Sequence, residues 1–424
     1  MQEATLRKVS RRLIPFIALL YAFNILDRTN ISVAALSMKP DLGFSDTVYG
    51  LGAGVFFLGY FLFEVPSNLI LERVGARKWI ARILVTWGAV SAAMLFVKTA
   101  PVFYGMRFLL GLAEAGFYPG IILYLTYWFP TAQRAQAVAR FVAVSALVGI
   151  VGGPLSGALL KLDGLLGMKG WQWLFLLEGL PSCLLGAVAL RYLTDRPEKA
   201  EWLSGEEKSW LVGQLERERK EREETHQHLS LLDAFKSPRL LHFALIFFLY
   251  VSAGYGVSFF APQIYKSQTN WSSQTIALVA ALPGIAGAIS MLLTSAHSDR
   301  TGERKRYVAF GTTLAAIGVS GAALSPNAYV TLAALTVAEF GRGIVQGPFW
   351  AMPTSLLSGA AAAGGIAAIN SIGNLGGFAG PYAMGWLKDR THGYQTGLFL
   401  LAGLLIGSAI SALLVPTKPA SKDT

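Results

Sequence analysis

Stretches of about 20 predominantly apolar residues recur along the whole of this 424-residue chain, each long enough to cross a bilayer as a helix. A backbone in lipid must satisfy its own hydrogen bonds, which leaves only helices or a closed barrel of strands. A barrel needs short strands of alternating polarity, whereas the runs here are continuous, and 45 Gly with 18 Pro fit helices that pack closely and kink. With 53% hydrophobic and 14% charged residues, the chain is too apolar for a soluble protein of this length. The expected fold class is an all-α membrane protein.

Twelve transmembrane helices are expected, near 12–36, 47–71, 78–97, 101–129, 134–160, 171–193, 240–266, 273–296, 305–324, 328–356, 363–387 and 394–415. Basic residues collect in alternate loops: Arg7, Lys8, Arg11 and Arg12; Arg73, Arg77 and Lys78; Arg134 and Arg140; Arg300, Arg304, Lys305 and Arg306. By the positive-inside rule both termini are cytoplasmic. The net charge of +11 is therefore a matter of topology, with the lipid bilayer as partner and no nucleic acid implied. The single cysteine, Cys183, lies in an apolar run, which excludes a disulfide or a thiolate metal site within one chain. The first run passes into Asp27 and Asn30 without a small-residue cleavage site, so it reads as a span and not as a signal peptide.

The chain divides into a six-helix bundle at 1–193, a polar linker at 194–239 and a second six-helix bundle at 240–424. In the linker, Ser204 and Glu207 have the spacing of a capping box, and Trp210, Leu211 and Leu215 form an apolar stripe, so a surface helix is expected on the cytoplasmic face. The halves are related by an internal repeat. Glu72-Arg73-Val74-Gly75-Ala76-Arg77-Lys78 matches Asp299-Arg300-Thr301-Gly302-Glu303-Arg304-Lys305 at an offset of 227 residues, and the same offset carries Gly153-Pro154 onto Gly380-Pro381 and Gly116 and Gly120 onto Gly343 and Gly347. In these loops Gly allows the turn and the basic residues hold the headgroups, while the acid is free to pair with an arginine on a neighbouring helix end. Glu72 with Arg134 or Arg140 is the expected pair in the first half. Together with Arg73, Asp299 and Arg300 it forms a candidate cytoplasmic gate.

The repeated loops resemble the signature of the major facilitator superfamily, over nearly the whole chain. Leu26-Asp27-Arg28-Thr29-Asn30, Phe63-Glu64-Val65-Pro66-Ser67-Asn68, Arg107 to Phe117 and Asn370 to Phe378 resemble its anion:cation symporter branch. Asp195-Arg196-Pro197-Glu198 with Trp202-Leu203 is similar to bacterial tartrate and related carboxylate permeases. Glu72 departs from the usual Asp of the family loop, a change a longer acid tolerates.

Charges inside the bilayer cost at least about 2.5 kcal/mol each, so they mark function. Asp27 and Arg28 fall in the first span; Arg107 and Glu114 lie two turns apart in the fourth, about 10 Å along the axis. At similar depth they must face one another or water. Arg binds a carboxylate through parallel hydrogen bonds and stays charged, whereas a desolvated carboxyl exchanges protons. Arg28 and Arg107 are therefore the expected anion-binding residues, with Asp27 and Glu114 as proton carriers, and the resemblance implies the same roles. At the offset of 227 these four positions become Gly254, Tyr255, Ala334 and Gly341, so the second half offers polar and aromatic groups: Tyr255, Gln263, Trp350, Asn370 and Asn374, with Tyr60 from the first half. Glu339 and Arg342 are read as a mutual pair, Arg342 being a further potential anion ligand, and Glu64 and Glu178 as structural.

The expected function is proton-coupled import of a small organic carboxylate, such as a tartrate-like hydroxy acid, a sugar acid or an aromatic acid, across a bacterial inner membrane by alternating access, with protons as the only coupling species and no cofactor. Sodium coupling or anion exchange on the same fold is the alternative. No grouped histidines, HExxH or GxxxxGK[ST] motif supports an enzyme or an ATP-driven pump. A monomer is the expectation that the resemblance carries.

Overall fold

The computed structural model describes residues 2–225, 237–356 and 360–415. Among them every regular element is helical. Eleven helical stretches are long and apolar enough to cross a membrane. The remaining crossing, the eleventh in chain order, is split into Ala360–Asn374 and Gly376–Thr391, so neither piece reaches spanning length alone. Its interruption at Leu375 sits in a glycine-rich segment where backbones meet: a Cβ on Gly376 would fall 2.5 Å from the Phe248 carbonyl oxygen.

The first span, Gln2–Leu42, is 41 residues long and starts well before the expected position, because Arg7, Lys8, Arg11 and Arg12 continue the helix beyond the apolar run. The fourth breaks after Glu114, where Gly116 adopts φ +84° before Phe117–Thr126 resumes. A side chain at Gly116 would meet both strain and the Ser67 hydroxyl. The repeat shows in the packing. The third and sixth spans (Ala76–Phe96 and Gly170–Tyr192) lie against each other, as do their counterparts, the ninth and twelfth (Lys305–Leu324 and Gln395–Leu413). The second span (Asp46–Val74) packs on the fourth through Gly59 and Gly111, and the eighth on the tenth (Ala328–Leu356) through Gly287 and Gly343.

The linker helix, Gly205–Thr225, lies on the first bundle. Its capping box forms as expected, with the Ser204 N–H donating to Glu207 at 2.8 Å and the Glu207 N–H to Ser204 Oγ at 3.2 Å. Leu211 of the apolar stripe is fully buried, Lys8 pairs with Glu207 at 2.7 Å, and Glu218 accepts from the Thr131 backbone and hydroxyl. The stripe is therefore covered by the chain's own first half.

Between the halves, hydrogen bonds gather at the end away from the linker. Asp389 caps the start of the second span by accepting from the Asp46 and Thr47 N–H groups at 3.1 and 2.7 Å. Lys39 pairs with Asp46 and donates to Gln263 at 2.6 Å, and Tyr49 donates to the Phe259 carbonyl at 2.8 Å. Close backbone approach makes this seal: a Cβ on Gly385 would lie 2.1 Å from the Asp46 carbonyl oxygen. Gly385→Val is expected to prop this end open. In a Cys183→Ser background, a cysteine at Tyr255 should then react with an impermeant maleimide supplied from the face opposite the linker, several-fold faster than without the valine; an unchanged rate in a folded protein would contradict the seal.

Candidate functional site

Asp27 and Arg28 are neighbours in sequence, but about 100° of helix rotation sends them to different partners. Asp27 turns into the first bundle, where it is fully buried and accepts from Trp87 Nε1 at 2.7 Å, Ser91 Oγ at 2.7 Å and Ser182 Oγ at 3.1 Å. Three donors from the third and sixth spans satisfy a carboxylate without a cation. Arg28 turns the other way and forms an ion pair with Glu114 of the fourth span, its Nε 2.9 Å from Oε1. The Phe56 and Tyr60 rings lie 5.4 and 5.1 Å from the guanidinium, close enough for cation–π attraction. The pair is lopsided: the Arg28 side chain is 21% exposed and that of Glu114 0%, and Glu114 Oε2 has no hydrogen-bond partner.

Arg107 stays apart from this pair. It is fully buried, with Nε and Nη2 donating to the Gly52 and Ala53 carbonyls at 3.3 and 3.4 Å, and its guanidinium lies 5.0 Å from the Phe56 ring. Among the described residues it makes no ion pair with a carboxylate. Of these four ionisable groups, Arg28 and Glu114 are in contact with each other, and the two-turn spacing holds Arg107 away from Glu114.

The second half supplies the facing wall. The Tyr255 ring lies 4.5 Å from that of Phe57 on the second span. Arg342 and Glu339 pair at 2.5 Å, with side chains 19% and 21% exposed. Trp350 packs edge-on against Phe247 at 5.0 Å. Asn370 and Ser371 donate to the two oxygens of Glu64 at 3.2 and 3.0 Å, joining the second and eleventh spans; Asn374 is half-buried in the same stretch. Read as structural from the sequence, Glu64 proves to bridge the halves, and no sequence signal pairs those two distant segments. Glu178 accepts from Ser156 at 2.7 Å inside the first bundle. The described residues hold no group of three or more His, Cys, Asp or Glu placed to bind a metal ion.

The expected pairing of Glu72 with Arg134 or Arg140 is not made in this conformation. Glu72 and Arg73 are exposed, Arg134 donates to the Phe129 carbonyl and Arg140 to Ser10 Oγ, each at 3.2 Å. Asp195 serves the loop instead, accepting from the Arg77 N–H at 2.9 Å beside Gly75. In the second loop Arg300 is exposed, and the Asp299 side chain lies outside the described residues.

A family model described as "Major Facilitator Superfamily" matches residues 17–381. A protein of Agrobacterium vitis named "Putative tartrate transporter" is 50% identical over 415 residues, covering 98% of this chain and 92% of that protein. A "Quinolone resistance transporter" of Acinetobacter baumannii is 39% identical over 417 residues, covering 98% and 96%. Among solved structures, a bacterial homologue of the human lysosomal transporter Spinster, in an inward-facing and occupied conformation, superposes with a TM-score of 0.78 at 17% identity, covering 95% of this chain and 96% of that one.

If Arg28 and Glu114 neutralise each other, removing one should cost more than replacing both. Glu114→Ala is expected to destabilise the detergent-purified protein by about 3 kcal/mol, and the Arg28→Met/Glu114→Leu double variant by clearly less. Equal losses in unfolding measurements would show that the two charges are not coupled.

Proposed function

The chain belongs to the major facilitator superfamily and is a membrane transporter; from that premise we propose that it is a proton-coupled symporter importing a small organic carboxylate by alternating access. The observation that carries the reading is the Arg28–Glu114 ion pair with its unpartnered Glu114 oxygen, at the depth of the facing Tyr255. The 50% identity to a protein named as a tartrate transporter supports the carboxylate class.

The chemistry follows from charge balance. In the empty carrier Arg28 and Glu114 cancel, so the site crosses the bilayer without net charge. An entering carboxylate competes for the Arg28 fork, which binds it through two parallel hydrogen bonds. Glu114 then faces a dry environment without its cation, a state worth several kcal/mol, and a proton on Glu114 removes that cost. The loaded carrier, with substrate on Arg28 and a proton on Glu114, is again neutral. A carrier holding substrate without the proton carries an uncompensated buried charge and does not reorient. Asp27, deeper in the bundle, is the second proton carrier of this proposal. Arg107, over the ring of Phe56 that also underlies Arg28, steadies the positive potential that attracts the anion. Tyr60, Tyr255, Trp350, Asn370 and Asn374 shape the rest of the site.

The halves rock about this level, the Asp389, Lys39 and Tyr49 contacts opening as the linker end closes. The gate set of Glu72, Arg73, Arg134, Arg140, Asp299 and Arg300 is proposed to engage in that second state. The positive-inside distribution supports cytoplasmic termini and linker in a bacterial inner membrane, with the chain acting as a monomer. The relative named for quinolone resistance is less similar than the one named for tartrate.

Glu114→Gln tests the mechanism, because a neutral amide mimics the protonated acid. In proteoliposomes it should abolish accumulation driven by an inward proton gradient while keeping counterflow exchange within about 10-fold of the unaltered chain. Loss of both activities in a folded variant, or accumulation that persists, would count against the role.

A further inference from the structure

We propose that Arg342 is the binding site for a second carboxylate of the substrate, so that the transported species is a small dicarboxylate held between one arginine from each half. This rests on the carboxylate-symport reading of the Arg28 site and specifies its substrate class.

At the repeat offset, the second half has Gly254 and Tyr255 where the first has Asp27 and Arg28, and by sequence it lacks the charges of the first. The structure restores a guanidinium there from another helix. A Cβ built on Gly254 would fall 2.3 Å from Arg342 Nη2 and 2.6 Å from Cζ, so the Arg342 guanidinium fills the side-chain space that this glycine leaves empty. Glycine at 254 is a requirement of that placement. Arg342 lies in the tenth span next to Gly341, which the same offset matches to Glu114.

The two arginines share a level. Arg28 is 14 residues from the end of its span at Leu42, Arg342 is 14 from the start of its own at Ala328, and both ends lie away from the linker, which puts each about 20 Å down its helix. Tyr255 lies within electrostatic reach of both guanidinium groups. The environments also match. Each arginine pairs with one carboxylate, Glu114 or Glu339; each sits over a tyrosine ring, Tyr60 at 5.1 Å or Tyr250 at 5.3 Å; and the side chains are 21% and 19% exposed.

Arg342 also has capacity to spare. Glu339 engages Nη1 alone at 2.5 Å, and Nε is buried without a hydrogen-bond partner. Tyr250, held by Gln346 at 3.2 Å, donates to the Arg342 backbone carbonyl at 3.1 Å and fixes the helix at this point. Two mostly buried forks, one from each half and at one level, with Tyr255 within electrostatic reach of both, suit a short anion with a carboxylate at each end. The second carboxylate displaces Glu339 from Arg342 as the first displaces Glu114 from Arg28, and a second proton, on Glu339, keeps the loaded site neutral; a monocarboxylate occupies the Arg28 fork and leaves Arg342 unused.

The test is equilibrium binding to the detergent-purified full chain, with no proton gradient, using L-tartrate and its monocarboxylate counterpart L-threonate, in which one carboxylate is replaced by CH₂OH. The unaltered chain should bind tartrate about 100-fold more tightly than threonate. Removing Arg342 alone strands Glu339, so the Glu339→Gln/Arg342→Gln pair is the variant of choice because it keeps the site neutral. It should bring tartrate down to the affinity of threonate while threonate itself moves less than about 3-fold. Equal binding of the two acids by the unaltered chain, or a parallel fall of both in the variant, overturns the proposal and leaves the Arg28 reading standing. Failure of the unaltered chain to bind either acid overturns both.

Discussion

An arginine and a glutamate that neutralise each other in low dielectric are the constraint around which this molecule is arranged. Placing Arg28 and Glu114 in separate helices of one bundle obliges the first and fourth spans to stay together, since parting them would leave two bare charges. The surrounding elements serve that pair. Phe56 and Tyr60 of the second span shield the guanidinium, and Gly59 and Gly111 bring the second and fourth spans close enough for them to do so. The break at Ala115–Gly116 ends the helix directly after Glu114.

The same economy governs the contacts between the halves. A transporter of this architecture needs an interface that holds and also parts, and its inter-bundle hydrogen bonds include Asp389 on two backbone N–H groups, Gln263 on Lys39, Tyr49 on the Phe259 carbonyl, and Glu64 on an amide and a hydroxyl. They stand beside apolar packing between the halves, where the Phe57 ring lies 4.5 Å from Tyr255 and the Tyr49 ring 5.1 Å from Phe260. Glu64 lies 18 residues, about 27 Å, down the second span from Asp46, so it links the halves well away from the outer cluster. The linker helix, bound to the first half through Lys8, Thr131 and the buried Leu211, moves with that half.

Much of this was legible in the chain itself. Span number, the division into halves and the register of the repeat follow from hydropathy and from loops 227 residues apart, because lipid tolerates so few alternatives. The capping box at Ser204 and Glu207 and the Glu339–Arg342 pair are local in sequence and so were readable. What could not be read is which way a charged residue turns. Asp27 and Arg28 are adjacent, yet one is satisfied by Trp87, Ser91 and Ser182 and the other by Glu114, a choice set by the neighbouring spans. Likewise Asp195 rather than Glu72 receives the Arg77 N–H, and Arg342 occupies a place that the repeat assigns to another helix; both depend on tertiary neighbours without a local signature.

The central claim is that substrate binding and protonation are one linked event at Arg28 and Glu114. It is tested most directly by counting protons when L-tartrate is added to the purified protein in weakly buffered solution, with a pH indicator as readout. The unaltered chain should take up about one proton more per bound substrate than Glu114→Gln. Equal uptake by the two, with substrate still bound, would contradict it.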